Sequence, residues 1–328
     1  MKRFYILDVI KLLCCLLILL HHWANYIYPT GNHSIFIEFL LSCRSLTGIF
    51  FSISGFLFYQ KWLNDVDKNQ INLTDEFKKN FLQVAPAYYF AIFLALSAMG
   101  IINLYSQEPI DLPTLKQILV NLLMLQDMVQ YSSISAGLWY VIIHLQNIFF
   151  SLVLLKLCMY FKIKNTKNAM VSIFFLLWLS SIFYFNLQKN LDFLFLYFFS
   201  SYGLGLLAGY VLQKQRLILW LGIGLLTIIA LSLHDIPRLC LSYLSLSGLL
   251  IYFTYYQQEP FHLSLFLQNR AAQVLYLFLF HYPLMMVLNP LMSSLLGKGV
   301  LSAYSVLFLT IALVLLLSQF FDKLEKKF

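Results

Sequence analysis

Charge is what this sequence has least of. Only 11% of its 328 residues are Asp, Glu, Lys or Arg, against about 25% in an ordinary soluble domain. With 61% hydrophobic residues, the chain cannot clothe itself in a polar surface. That excludes a water-soluble globular fold and leaves lipid as the solvent for most of it. Cysteine chemistry is missing too. Cys14, Cys15, Cys43, Cys158 and Cys240 all fall in apolar runs, with no C-x-x-C pair and no Cys/His cluster at zinc spacing. Neither a disulfide framework nor a bound metal is expected. Cations are in excess, with a net charge of +8, but no polybasic stretch interleaves with aromatics, which excludes nucleic acid as a partner. No repeat recurs at a fixed period. Asp8 and Lys11 interrupt the first apolar run, and no small-x-small site follows Trp23, so that run reads as a retained helix and not as a signal peptide.

What is present is apolar length. Runs able to cross a bilayer occur at 4–28, 35–59, 81–105, 138–160, 169–187, 193–213, 217–233, 239–256, 271–293 and 300–320. Pro283 and Pro290 could break the ninth. The run at 115–131 is shorter and contains Gln126 and Asp127. Treating it as interfacial or re-entrant, with the N-terminus inside, puts 16 of the 22 Lys and Arg at inner ends and four outside, with Lys11 and Arg44 within spans. That distribution follows the inward bias of cations, whereas a spanning 115–131 would send Lys162, Lys164 and Lys167 outside. The fold class expected is all-α: a polytopic membrane protein of about ten helices, both termini cytoplasmic, with 1–328 forming one transmembrane domain.

Ionisable side chains inside spans are costly and point to function. In the first run, Asp8 and Lys11 are three apart and can pair. Lys11 and His22 are eleven apart, close to three full turns, so the three share one face over about 16 Å. His21 points about 100° away. His22 is the candidate general base, since imidazole exchanges protons near neutral pH. Arg44, at similar depth in the next run, is a candidate for stabilising an oxyanion. His144 and His281 are also intramembrane, and His144 reads as structural.

These residues carry a resemblance. Leu7-Asp8, then Lys11, ten residues and His22 resemble the opening of the acyltransferase-3 family. Phe50-Phe51-Ser52-Ile53-Ser54-Gly55-Phe56-Leu57 is similar to a second family segment. Gly137-Leu138-Trp139-Tyr140 is similar to a third, and Tyr276 through His281 to Pro283 to a fourth. The order and spacing cover nearly the whole chain. The resemblance implies transfer of an acyl group, commonly acetyl from cytoplasmic acetyl-CoA, to a hydroxyl of an envelope or secreted glycan. Such an enzyme would sit in the cell membrane, with a glycan or lipid-linked sugar as acceptor. Lys11 stands where the family has Arg. Asn80 and Gln83 stand where it commonly has two arginines before Pro86, leaving Lys78 and Lys79 nearby.

The expected assignment is therefore His22, Lys11, Asp8 and Arg44 for catalysis, Lys78 and Lys79 for the phosphates of the acyl-CoA, and Ser54, Trp139 and His281 for substrate binding. A covalent acyl-His intermediate remains open. The rival classes are a flippase for a lipid-linked glycan, which would line a path with the same charges, and an inactive relative serving as a binding subunit.

Overall fold

Apolar runs in lipid must satisfy their own backbone, which only helices and closed barrels can do. The computed structural model describes residues 4–29, 34–63, 72–105, 110–234, 236–255 and 265–325, and among them no strand occurs. Thirteen α-helices follow in order: α1 Tyr5–Tyr26, α2 Ile35–Ser42, α3 Thr47–Phe58, α4 Leu73–Tyr105, α5 Leu115–Leu122, α6 Leu138–Tyr160, α7 Thr166–Phe183, α8 Phe195–Lys214, α9 Leu217–Leu233, α10 Pro237–Tyr255, α11 Leu265–Ala272, α12 Val274–Leu296 and α13 Val300–Glu325. The inner-end cations Lys2, Arg3, Lys68, Lys326 and Lys327 lie outside the described residues.

Among the described residues, eight segments are long and apolar enough to cross a membrane. The chain is thus an all-α, multi-pass membrane protein. The two remaining runs are helical as well. α9 is apolar but only 17 residues long, and α10 has the length, with Arg238 and three serines diluting its hydropathy.

Several boundaries differ from those read off the sequence. The second run is not one helix. α2 stops at Ser42, a tight 3₁₀ turn covers Cys43–Leu46, and α3 then begins. α4 starts at Leu73, well before 81, and runs 33 residues with Pro86 inside it. The ninth run begins after a break at Gln273, and α12 continues unbroken through Pro283 and Pro290. The 115–131 stretch does not span: α5 has eight residues and turns follow. Its Asn121 is fully buried. The amide donates to the carbonyls of Gln117 and Ser132, and its oxygen accepts from the Ile134 N–H. One side chain thereby closes the loop on itself and meets the backbone demand that a turn has away from water.

The helices gather into two compact units, and the chain passes from one to the other at 4/5, 44/45, 82/83, 141/142 and 262/263. One unit holds α3, the start of α4, most of α6, and α7 to α10. Its central contact is α3 on α8. A Cβ on Gly55 would collide with the Tyr202 carbonyl, and one on Gly205 with the Ser52 carbonyl and, at 2.7 Å, with the Phe56 nitrogen. Small residues that let backbones touch are how helices associate where lipid offers no hydrophobic driving force. The other unit holds α1, α2, the rest of α4, α5, and α11 to α13. Its core joins Leu19, Trp23, Leu40, Met285 and Val306. Lipid covers stripes left bare, such as Leu221, Leu225 and Ile228 on α9, each more than 60% exposed.

Candidate active site

The register of α1 is fixed by three hydrogen bonds within its unit. Cys15 Sγ donates to the Val274 carbonyl at 3.8 Å. Trp23 Nε1 donates to the Ala303 carbonyl at 2.7 Å. His21 Nδ1 lies 3.2 Å from the Leu40 carbonyl, which can only accept, so this nitrogen carries a proton. His21 thus holds α1 against α2. His22, between that residue and Trp23, is turned the other way and partly exposed.

At the start of the same helix, Lys11 Nζ meets Asp8 Oδ1 at 2.9 Å. Asp8 is buried and Lys11 about a quarter exposed. The lysine stem can therefore follow the helix while its ammonium neutralises the carboxylate. α1 is continuous from Tyr5 to Tyr26, so Asp8, Lys11 and His22 lie on one face by helical geometry.

His22 faces aromatic rings. Tyr26 stacks on it at 5.7 Å and 15°, and Tyr282 meets it edge-on at 5.5 Å. His281 is 5.1 Å away, centroid to centroid. His281 is 1% exposed, and its Nδ1 donates to the Leu277 carbonyl at 3.1 Å. Among the described residues, His281 Nε2 and His22 Nδ1 are buried ring nitrogens without a hydrogen-bond partner. His22 Nε2 is not enclosed in that way. This juxtaposition joins residues 259 apart in sequence, and spacing alone could not have revealed it.

The third and fourth sequence segments also meet here. A Cβ on Gly137 would lie 3.2 Å from the Phe278 carbonyl and 3.3 Å from the Leu279 side chain, and Tyr140 packs edge-on against Phe278 at 5.2 Å. Phe278 in turn lies 6.2 Å from His281. Trp139 is half-buried beside Tyr140, 6.3 Å between centroids. Arg44 belongs to the same unit. It is exposed and sits in the 3₁₀ turn, not within a regular helix.

The remaining sequence candidates belong to the other unit. Ser54 Oγ lies 3.3 Å from His144 Nδ1, linking α3 to α6. Lys78 and Lys79 are adjacent and exposed on α4. Nearby, Lys61 is neutralised by Glu76 at 2.7 Å and rests over the Trp62 ring.

As a chemical arrangement, the unit that holds α1, α2 and α11 to α13 offers a base with one nitrogen sealed and one open, aromatic surfaces, and a cationic residue at a break in a span. That set suits proton removal from a hydroxyl beside a planar, partly apolar substrate. Compared with known proteins, residues 4–319 match the acyltransferase-3 family profile, described as an acyltransferase domain. No curated protein and no solved structure gives a significant match.

Proposed function

Because this chain belongs to the acyltransferase-3 family over residues 4–319 and is a membrane acyltransferase, we propose that it moves an acyl group, acetyl in the first instance, from a cytoplasmic acyl-CoA to a hydroxyl of an envelope or secreted glycan. The observation that carries this reading is His22: partly open, one ring nitrogen sealed and the other accessible, with Tyr26 stacked on it.

In this reading, His22 takes the proton of the acceptor hydroxyl as its oxygen attacks the thioester carbonyl. Arg44 stabilises the oxyanion that forms. The C–S bond then breaks, and the departing thiolate receives the proton from His22, so no net charge is left behind. Lys78 and Lys79, exposed and without an ion-pair partner among the described residues, suit the phosphates of the donor. The Asp8–Lys11 pair keeps a compensated charge on the face of α1 that carries His22. Tyr26, 53% exposed, and Tyr282 give a sugar ring flat and edge contacts beside the base. Ser54 and Trp139, one in each unit, are assigned to substrate binding through their polar tips, a hydroxyl and an indole N–H. The cell membrane is the setting that an envelope acceptor and a cytoplasmic donor both require.

The test is incubation of membranes containing the protein with radiolabelled acetyl-CoA, followed by recovery of label in the glycan fraction. Labelling above that of a His22→Ala membrane, with equal protein, is expected. Absence of any difference would defeat the reading, and would favour a flippase or an inactive binding subunit. Comparing the glycans of a deletion strain with those of its parent identifies the acceptor.

A further inference from the structure

A general base must hold its lone pair toward the substrate, so something has to decide which imidazole nitrogen carries the proton. We propose that His281 is the positioning residue for His22: it accepts the His22 Nδ1–H on its own Nε2, and so keeps His22 Nε2 bare and facing the acceptor hydroxyl. This rests on the reading of His22 as the base.

The argument starts at the far end of the chain of bonds. The Leu277 carbonyl is an obligate acceptor, so the contact at 3.1 Å requires a proton on His281 Nδ1. A neutral His281 is thereby fixed with an unprotonated Nε2. That atom is buried and has no partner among the described residues. A buried acceptor left unsatisfied bears its full desolvation penalty. Beside it stands a second buried ring nitrogen with the same deficit, His22 Nδ1.

The rings are 5.1 Å apart by centroid and tilted by 34°. An N–H···N bond of about 2.9 Å, with one ring radius added at each end, spans that separation. The two nitrogens are not bonded in this structure; joining them requires the His22 ring to turn about its last side-chain torsion, out of its present stacking on Tyr26. Torsions of this kind are broad and cheap to move. One bond then satisfies both atoms.

The chemical consequence follows from the proton count. With Nδ1–H committed to His281, His22 Nε2 is the basic nitrogen, and it is the one that is not sealed. When Nε2 takes the acceptor's proton, the imidazolium keeps its Nδ1–H bond to His281, which favours the charged form at the moment it is needed. The other histidine of the doublet cannot replace His281, because its Nδ1–H is directed to Leu40 on α2.

The experiment uses the full-length protein in membranes, with acetyl-CoA as donor and the membrane's own glycan as acceptor. His281→Leu removes the acceptor atom, and His281→Gln restores one through its amide oxygen. His281→Leu is expected to lower kcat about 100-fold or more with the KM for acetyl-CoA little changed, and His281→Gln to recover at least tenfold of that loss. A residue that only fills space would give the opposite order, since Leu preserves apolar packing better than Gln. In parallel, nitrogen NMR of histidine-labelled protein in detergent should show His22 protonated on Nδ1 in the native chain and not in His281→Leu. If His22→Ala is inactive but His281→Leu turns over normally, the inference falls and the base reading stands. If His22→Ala retains activity, the base reading falls, and the NMR alone decides the tautomer: an unchanged His22 signal in His281→Leu overturns the positioning role.

Discussion

His21 and His22 are the same side chain on adjacent residues, and only their surroundings separate them. His21 spends its Nδ1–H on the Leu40 carbonyl, whereas His22 turns to Tyr26, Tyr282 and His281. His22→Ala is expected to reduce acyl transfer by about 10²–10⁴-fold, the usual effect of losing a general base. His21→Ala should keep most activity while losing about 1 kcal/mol of stability from its single hydrogen bond. Initial rates normalised to membrane protein would show this; equal rates for the two variants would not fit. Lys11 offers a second contrast. Its ammonium lies 2.9 Å from a buried carboxylate, so Lys11→Ala leaves Asp8 uncompensated in a setting where breaking a pair costs up to about 3–5 kcal/mol. Lys11→Arg retains a cation and should preserve both protein level and activity. Lys11→Ala should lower both, and Lys11→Ala with Asp8→Asn should regain protein level. Activity that stays low in that double variant would separate a direct contribution of the cation from mere neutralisation.

At the scale of elements, much was readable and the exceptions have physical causes. Apolar runs announced the long helices because lipid leaves the backbone little choice. The pair Asp8–Lys11 was readable because it is local, three residues within one helix. The break at Cys43–Leu46 was not, since Cys-Arg-Ser-Leu contains no Pro or Gly and continues an apolar run on both sides. The prolines of α12 misled in the other direction: each removes one N–H, and the remaining ladder carries the helix through. Meetings between distant helices, His22 with His281 and Ser54 with His144, depend on packing that spacing does not encode. Glycine shows the same limit. Gly205 looks no different in sequence from Gly222, but a Cβ on Gly222 meets nothing within 4 Å. Gly55→Ala forces α3 and α8 apart and is expected to cost at least about 1–3 kcal/mol, as overpacking does. Gly222→Ala should be neutral or stabilising by up to about 1 kcal/mol through helix propensity. Thermal unfolding in one detergent would compare them, and equal melting temperatures would remove the close approach from the account of this unit.

For the molecule as a whole, the inward bias of cations makes a prediction about sidedness. Thr166→Cys, at the start of α7, should be shielded from an impermeant thiol reagent in intact cells and react after lysis. Ser133→Cys, in the loop after α5, should react without lysis. Reaction of Thr166→Cys in intact cells would require a different number of crossings. The backbone contact of α3 with α8 bears on something else, the order of events during synthesis. Gly55 and Gly205 close on each other's helices, but a ribosome making about 5–20 residues per second needs about 8–30 s to travel from one to the other. For that interval α3 has already emerged, and its intended neighbour does not exist. The face that carries Ser52 and Gly55 must wait among lipids, or be sheltered by an insertion factor, until α8 arrives. Nascent chains arrested before residue 205 should therefore be far more sensitive to membrane proteases than chains arrested after α8 has cleared the translocon.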